Sequence, residues 1–195
     1  MGLELSDAER DTDIALESRY RNVIGLSTDG ELQWHIPDAP HEPPEETEPH
    51  YMGLWQIEDA LWVRNKNQYA YRVDRNSGEL LESVPANVLY LDSEKIEFNG
   101  GWVGKVLPVD DDLVAVMLET SSHPDSDGRN LYVFDRDGTE RWWVGDHLRS
   151  DAPPSAPPFT NIWLDDGDLC GYATDGYEYR FDPETGELRD TIWRK

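Results

Sequence analysis

The strongest constraint on this chain is that it repeats itself. Displaced by 108 residues, it aligns without a gap from Asn22 to Glu82. Asn22 meets Asn130, Asp29-Gly30 meets Asp137-Gly138, Trp34 meets Trp142, Asp38 meets Asp146 and Pro49 meets Pro157. The match continues through Trp55 and Trp163, Leu61 and Leu169, Tyr69 and Tyr177, Tyr71-Arg72 and Tyr179-Arg180, Asp74 and Asp182, and Gly78-Glu79-Leu80 and Gly186-Glu187-Leu188. These are 15 identities in 61 positions, and they favour Gly and Trp, the residues hardest to match by accident. A fixed internal period means that one supersecondary unit has been doubled, so that neighbours stack to bury a shared core.

Each unit divides again. NVIGLSTDGELQWHI (22–36) recurs as NLYVFDRDGTERWWV (130–144), and YAYRVDRNSGELLES (69–83) recurs as YEYRFDPETGELRDT (177–191). In every case an alternating strand runs into Asp- or Ser-rich residues, then Gly, then a second strand. Gly supplies the positive φ that a tight turn needs, and the Asp side chain bonds the turn's own backbone. Upstream of the second hairpin, LWQIEDALWVRNKNQYAY matches IWLDDGDLCGYATDGYEY and adds two more strands. The complete small repeat therefore has four antiparallel strands, the content of a propeller blade. The expected fold is all-β and β-propeller-like, with four blade-like antiparallel sheets from a duplicated unit of about 108 residues. Helix should be minor.

The segments Asp74–Leu80 and Asp182–Leu188 both read D-x-x-[ST]-G-E-L between two strands, with Trp34 and Trp142 at a fixed distance upstream. This pattern resembles PQQ-like β-propeller repeats, over about 22–83 and 106–193. The resemblance implies blades docked by a tryptophan. PQQ enzymes build a larger closed propeller around a quinone and a metal, and no residues here match that site, so the resemblance brings no cofactor with it.

The chain reads as a single repeat domain over 1–195, with unit one at about 1–87 and unit two at about 88–195. Residues 37–50 and 145–158, rich in Pro, Asp and Glu, read as paired connections between blades. At the N-terminus, Ser6 and Glu9 fit a capping box that would open a short helix to about Leu16. Asp13–Ser18 is alternatively a strand equivalent to Leu113–Glu119, and the strand is the preferred reading. Blades two to four each find four strands, while blade one lacks its first. The segment 88–105 has no counterpart in unit one and reads as a linker hairpin. It or the terminal strand Thr191–Trp193 would fill the gap in blade one, which favours a monomer over a dimer that completes a ring of about eight blades.

Composition adds the setting. The aromatic load of 8 Trp, 9 Tyr and 4 Phe suits half-buried pleated surfaces. Forty-one acidic residues against 17 basic ones leave a net charge of −24. Self-repulsion on that scale destabilises a compact state unless salt screens it, and at about 1 M salt the Debye length is only about 3 Å. The expected setting is the cytoplasm of a salt-accumulating halophile. An acidic mimic that binds a basic partner is the sharper alternative, but the acids are spread along the whole chain. Direct nucleic-acid binding, which needs clustered Lys and Arg, is not expected. Neither is a membrane span, because no apolar run approaches the length of one.

No residue set for catalysis, a cofactor or a metal stands out. His41 and His50 flank a Glu run, but their spacing fits no ligand template, and the repeat places Arg149 and Pro158 opposite them. Asp125–Gly128 and Asp135–Gly138 are like fragments of a calcium loop without its bidentate Glu, and read as turns. Asp110–Asp112 and Asp165-Asp166 precede strands and also read as turns. Cys170, the only thiol, sits in an apolar segment and reads as a buried small hydrophobe. In Tyr71-Arg72 and Tyr179-Arg180, alternation sends Tyr inward and Arg outward. The expected role is a non-catalytic binding or scaffold module, its partner an unknown protein or small ligand. A hydrolase or lyase with carboxylates in a central channel is the rival.

Overall fold

Alternation of apolar and polar residues, broken by Asp-Gly turns, leaves the backbone little choice but antiparallel hairpins. The computed structural model describes strands at 14–19, 22–27 and 32–36, and then residues 51–57, 60–65, 69–74, 77–92, 94–99, 101–119, 130–144 and 158–194. All the regular structure among them is β. The strands are β1 (Ile14–Arg19), β2 (Asn22–Ser27), β3 (Leu32–Ile36), β4 (Tyr51–Ile57), β5 (Ala60–Asn65), β6 (Tyr69–Val73) and β7 (Leu80–Pro85). There follow β8 (Val88–Leu91), β9 (Glu94–Glu97), β10 (Trp102–Pro108), β11 (Leu113–Glu119), β12 (Leu131–Asp135) and β13 (Glu140–Trp143). The last are β14 (Phe159–Asp165), β15 (Asp168–Ala173), β16 (Tyr177–Phe181) and β17 (Leu188–Trp193). No helix among the described residues is long and apolar enough to cross a membrane.

Four blade-like antiparallel sheets result, each in simple sequence order: β1-β2-β3, β4-β5-β6-β7, β10-β11-β12-β13 and β14-β15-β16-β17. They are called blades one to four below. Strands β4 to β7 and β14 to β17 have the same bounds once 108 is subtracted, so the period seen in the sequence is a period of the backbone. Even the irregularities repeat. The first strand of blades two, three and four slips register near its start, between Tyr51 and Gly53, Val103 and Lys105, and Phe159 and Asn161. The strand alternative for the N-terminus is the observed one: Ile14–Arg19 pairs with β2. The capping-box residues Ser6 and Glu9, the connection 37–50 and all but the last residue of the connection 145–158 lie outside the described residues.

The chain divides into two compact units, Met1–Ala86 and Asn87–Lys195. In the second, one face of blade three and one face of blade four share a core. Leu107, Leu113, Leu131, Val133 and Trp142 meet Phe159, Ile162, Leu169, Tyr179 and Phe181, all less than a tenth exposed. Thirteen such buried residues, at roughly 1.5–3 kcal/mol for each large apolar side chain, make this seam a large source of the unit's stability.

The expectation for 88–105 needs correcting. Only 88–97 is a hairpin, and Trp102–Lys105 begins β10. Val103 is fully buried and belongs to the sheet of blade three, not to a linker. Nor does the hairpin supply a strand to blade one. It is a two-stranded sheet of its own, closed by Phe98 N–H donating to Asn87 C=O at 2.9 Å. It packs on blade three, on the face opposite the seam: Phe98 stands 5.7 Å from Tyr132 and 6.0 Å from Phe134, ring centre to ring centre. The other intramolecular candidate, Thr191–Trp193, is part of β17 and pairs with β16.

Candidate functional site

The carboxylates that stand out in the sequence are bound up in turns. In Asp74–Glu79, the Asp74 carboxylate accepts from Ser77 N–H at 2.7 Å and from its hydroxyl at 2.9 Å. Gly78 N–H donates to Asp74 C=O. In Asp182–Glu187 the arrangement recurs: the Asp182 carboxylate takes Glu184 N–H and Thr185 N–H at 2.9 and 3.0 Å. These backbone donors hold the Asp182 carboxyl below its ordinary range, as Thr139 N–H does for Asp137. Asp110 caps its own turn by accepting from Asp112 N–H and Leu113 N–H, both at 2.8 Å. Asp166 and Gly167, with φ of 50° and 83°, are the two left-handed residues of a two-residue hairpin between β14 and β15. His41, His50 and Asp125–Gly128 lie outside the described residues.

The docking tryptophan is real and specific. Trp142, at the end of blade three, lies on the blade-four turn, with its indole N–H donating to Pro183 C=O at 2.8 Å. A side chain added at Gly186 would start 2.7 Å from the Trp142 ring, and the φ there is 72°. The glycine therefore serves both the turn and the seam.

Cys170 is fully buried, and desolvation pushes its thiol up to about 11, which keeps it protonated and inert at neutral pH. Tyr71 and Tyr179 are buried while Arg72 is exposed, as alternation requires. Arg180 is not idle, however. It bridges Asp165 at 2.6 Å and Glu178 at 3.0 Å, and Glu178, only 3% exposed, also takes Arg194 at 2.7 Å. Sequence reasoning passed over Glu178 because one acid among 41 carries no signal. The 108-residue shift would have found it, since it stands where blade two has Ala70.

Where blades three and four converge, their first strands bring Lys105 Nζ within 3.2 Å of Asn161 Oδ1, each residue next to a register slip. Bulges of this kind re-aim side chains and gather at functional edges. Asn130 locks the same corner. Its amide donates to Leu118 C=O and Phe159 C=O, and its oxygen accepts from Phe159 N–H. Among the described residues, no three His, Cys, Asp or Glu side chains gather as a cation site. Apart from Asp165, paired with Arg180, the first strands of blades two to four carry no carboxylate.

Set against known proteins, the chain matches one family model, described as a domain of unknown function (DUF7957), over residues 10–85 and again over 82–193. The match is to this family rather than to a PQQ family, so the PQQ-like resemblance stands at the level of a propeller-like fold. No curated protein matches. Among solved structures, a protein of unknown function from Bacteroides caccae is 13% identical with a TM-score of 0.50, over 93% of this chain and 57% of that one. BamB from Moraxella catarrhalis is 16% identical (TM-score 0.45, 93% and 49%), and the computationally designed Ika8 protein is 15% identical (TM-score 0.48, 95% and 48%). The chain spans about half the length of these structures, and likeness at such identity speaks to fold alone.

Proposed function

Since the chain belongs to the DUF7957 family and carries its domain twice, we propose that it is a non-catalytic binding or scaffold module of propeller type, working in a salt-rich cytoplasm. The observation that carries this reading is the use made of the carboxylates. Asp74, Asp110, Asp137 and Asp182 cap turns, and Asp165 and Glu178 are held by guanidinium groups. A hydrolase or lyase needs carboxylates presented to substrate, and the described first strands present a lysine and an asparagine instead. The binding surface in this reading is the corner where the first strands of blades three and four meet, with the loops beside it. Lys105 and Asn161 supply donors for the carbonyls or carboxylates of a protein or small ligand.

The test is capture from a halophilic host in molar KCl, comparing the chain with a Lys105→Glu, Asn161→Ala double variant. A partner held by the first and lost by the second supports the reading. A partner held equally by both places binding elsewhere, and turnover of a captured metabolite would mean an enzyme. The salt setting is checked separately by melting in about 0.1 M and about 3 M KCl, where screening should raise the melting temperature.

A further inference from the structure

Trp55, on the first strand of blade two, is only 2% exposed, and its indole N–H makes no hydrogen bond. Trp142, also buried, donates its indole N–H to Pro183 C=O, as buried indoles ordinarily do. A buried donor left without an acceptor is costly, and an ordered water or ion is the usual remedy. Arg64 of β5 lies on the same face of the sheet. Trp55 stands opposite Trp62, and Gly53 opposite Arg64. Trp55 and Arg64 are therefore diagonal neighbours, about 7–8 Å apart in the backbone and within reach of a ligand held between long side chains. Arg64 is also 2% exposed, a rare depth for a guanidinium. It interacts elsewhere, but its Nε–H likewise makes no hydrogen bond. Both residues sit on adjacent strands of one blade, so the register of that blade alone makes them neighbours.

The positions beside Arg64 are small. Across the ladder it faces Gly53 on β4 and Ala70 on β6. In blade four, 108 residues on, Asn161, Tyr172 and Glu178 hold the positions of Gly53, Arg64 and Ala70, and Asp165 holds that of Ile57. Blade four thus supplies carboxylates from its own strands, and Asp165 and Glu178 hold Arg180 between them. Blade two carries a deeply buried cation and has alanine and isoleucine at those two places. There the register gives Arg64 space rather than an acid. Trp163, the counterpart of Trp55, is only half-buried.

We propose that Trp55 and Arg64 form a buried site for a small monovalent anion, chloride in a KCl-rich medium, which accepts from the Trp55 indole and lies beside Gly53 and Ala70. A donor next to a positive charge favours an anion over a water, because a bound water must also donate, and Gly53 and Ala70 bring no side-chain acceptor. Burial sets the size: at 2% exposure the two side chains are open to an ion and not to a peptide or nucleotide. The site is independent of the Lys105 and Asn161 corner. Its consequence is that salt stabilises this chain by occupancy as well as by screening.

Melting at about 3 M potassium, with chloride exchanged stepwise for bulky gluconate, tests this while screening stays fixed. Chloride should raise the melting temperature along the logarithmic curve of a single site. Trp55→Phe, which keeps an aromatic ring but lacks the N–H, should weaken chloride binding at least about tenfold. Trp163→Phe, the same change at the matching position of blade four, should leave the chloride response as it is. Crystals of the unaltered chain grown in KBr give a second readout that no variant's folding can disturb. Their anomalous signal should place a bromide within hydrogen-bonding reach of Trp55 Nε1. No difference between chloride and gluconate, a chloride response retained in Trp55→Phe, or a water in place of bromide at Trp55 each overturns the proposal.

Discussion

Blade four has two faces built on opposite principles. Toward blade three it presents Phe159, Tyr179 and Phe181, with Trp142 of blade three 5.9 Å from Phe181 and Phe159 set edge-on to Tyr179 at 5.8 Å. Away from blade three it presents the ionic chain through Arg180. The same four strands make both faces, and successive residues of β16 alternate between them: Glu178, Tyr179, Arg180, Phe181. Apolar packing is additive, dense and intolerant of voids. An ion-pair chain at a half-exposed face is worth little pair by pair, but is costly to leave half-made. The two faces should therefore answer to mutation in different ways.

The largest effect is expected at the seam. Phe181→Ala removes a fully buried ring in contact with Trp142, Phe159 and Tyr179, and should cost about 3–5 kcal/mol by denaturant unfolding in molar salt. A loss below about 1 kcal/mol would mean that the seam is loosely packed. Next comes a matched pair of glycines. Gly186 and Gly167 share a left-handed φ, 72° and 83°, but only Gly186 is covered by a tryptophan, while nothing lies within 4 Å of a side chain added at Gly167. Gly167→Ala should cost about 1–2 kcal/mol, the price of the backbone conformation alone. Gly186→Ala should cost more, by whatever moving Trp142 requires, and equal losses would deny the docking.

On the ionic face, Glu178→Ala leaves Arg180 and Arg194 without their shared acceptor and should cost about 1–2 kcal/mol, discounted because both guanidinium groups reach solvent. The triple change Asp165→Ile, Glu178→Ala, Arg194→Ala restores the residues of blade two and should be less damaging than the single one. Such non-additivity is the signature of a network, and simple addition would refute it. The smallest effect is with pH. The Asp182 and Asp137 carboxyls are held low by backbone donors, so the unfolded chain binds protons more readily. Stability from these turns is complete above the ordinary carboxylate range and is lost as pH falls through the lowered values. In about 3 M KCl, where general repulsion is screened, melting should be flat near neutrality and fall in acid. Asp182→Asn should flatten that fall.

Much of this was open to a reader of the sequence, and the reason is local chemistry. A turn such as Asp182-Pro183-Glu184-Thr185-Gly186 declares itself because its bonds are made within six residues, and the spacing of Trp142 from Gly186 is fixed by the repeat. The strand bounds followed from the same alternation. What stayed hidden depends on partners distant in sequence. Asn161 gives no sign of Lys105, 56 residues earlier, and nothing in VLYLDSEKIEF shows that it will cover blade three. Trp102–Lys105 reads with the linker hairpin of 88–105, since burial of Val103 against its neighbours leaves no local mark. Glu178 was lost among too many carboxylates, although its contrast with Ala70 lay in the alignment.

Asn130 has a consequence for how the molecule comes apart. One buried amide group closes three hydrogen bonds, at 3.0, 2.7 and 2.9 Å, to backbone groups of two different blades. Prising blade four from blade three would break both Phe159 bonds at once and leave the Asn130 amide with Leu118 C=O alone. Opening the corner therefore loses two hydrogen bonds together, and the two blades should rise and fall as a single cooperative unit. In hydrogen exchange, the Phe159 amide, held by a side chain and not by a neighbouring strand, should exchange as slowly as the slowest amides of β11 and β15.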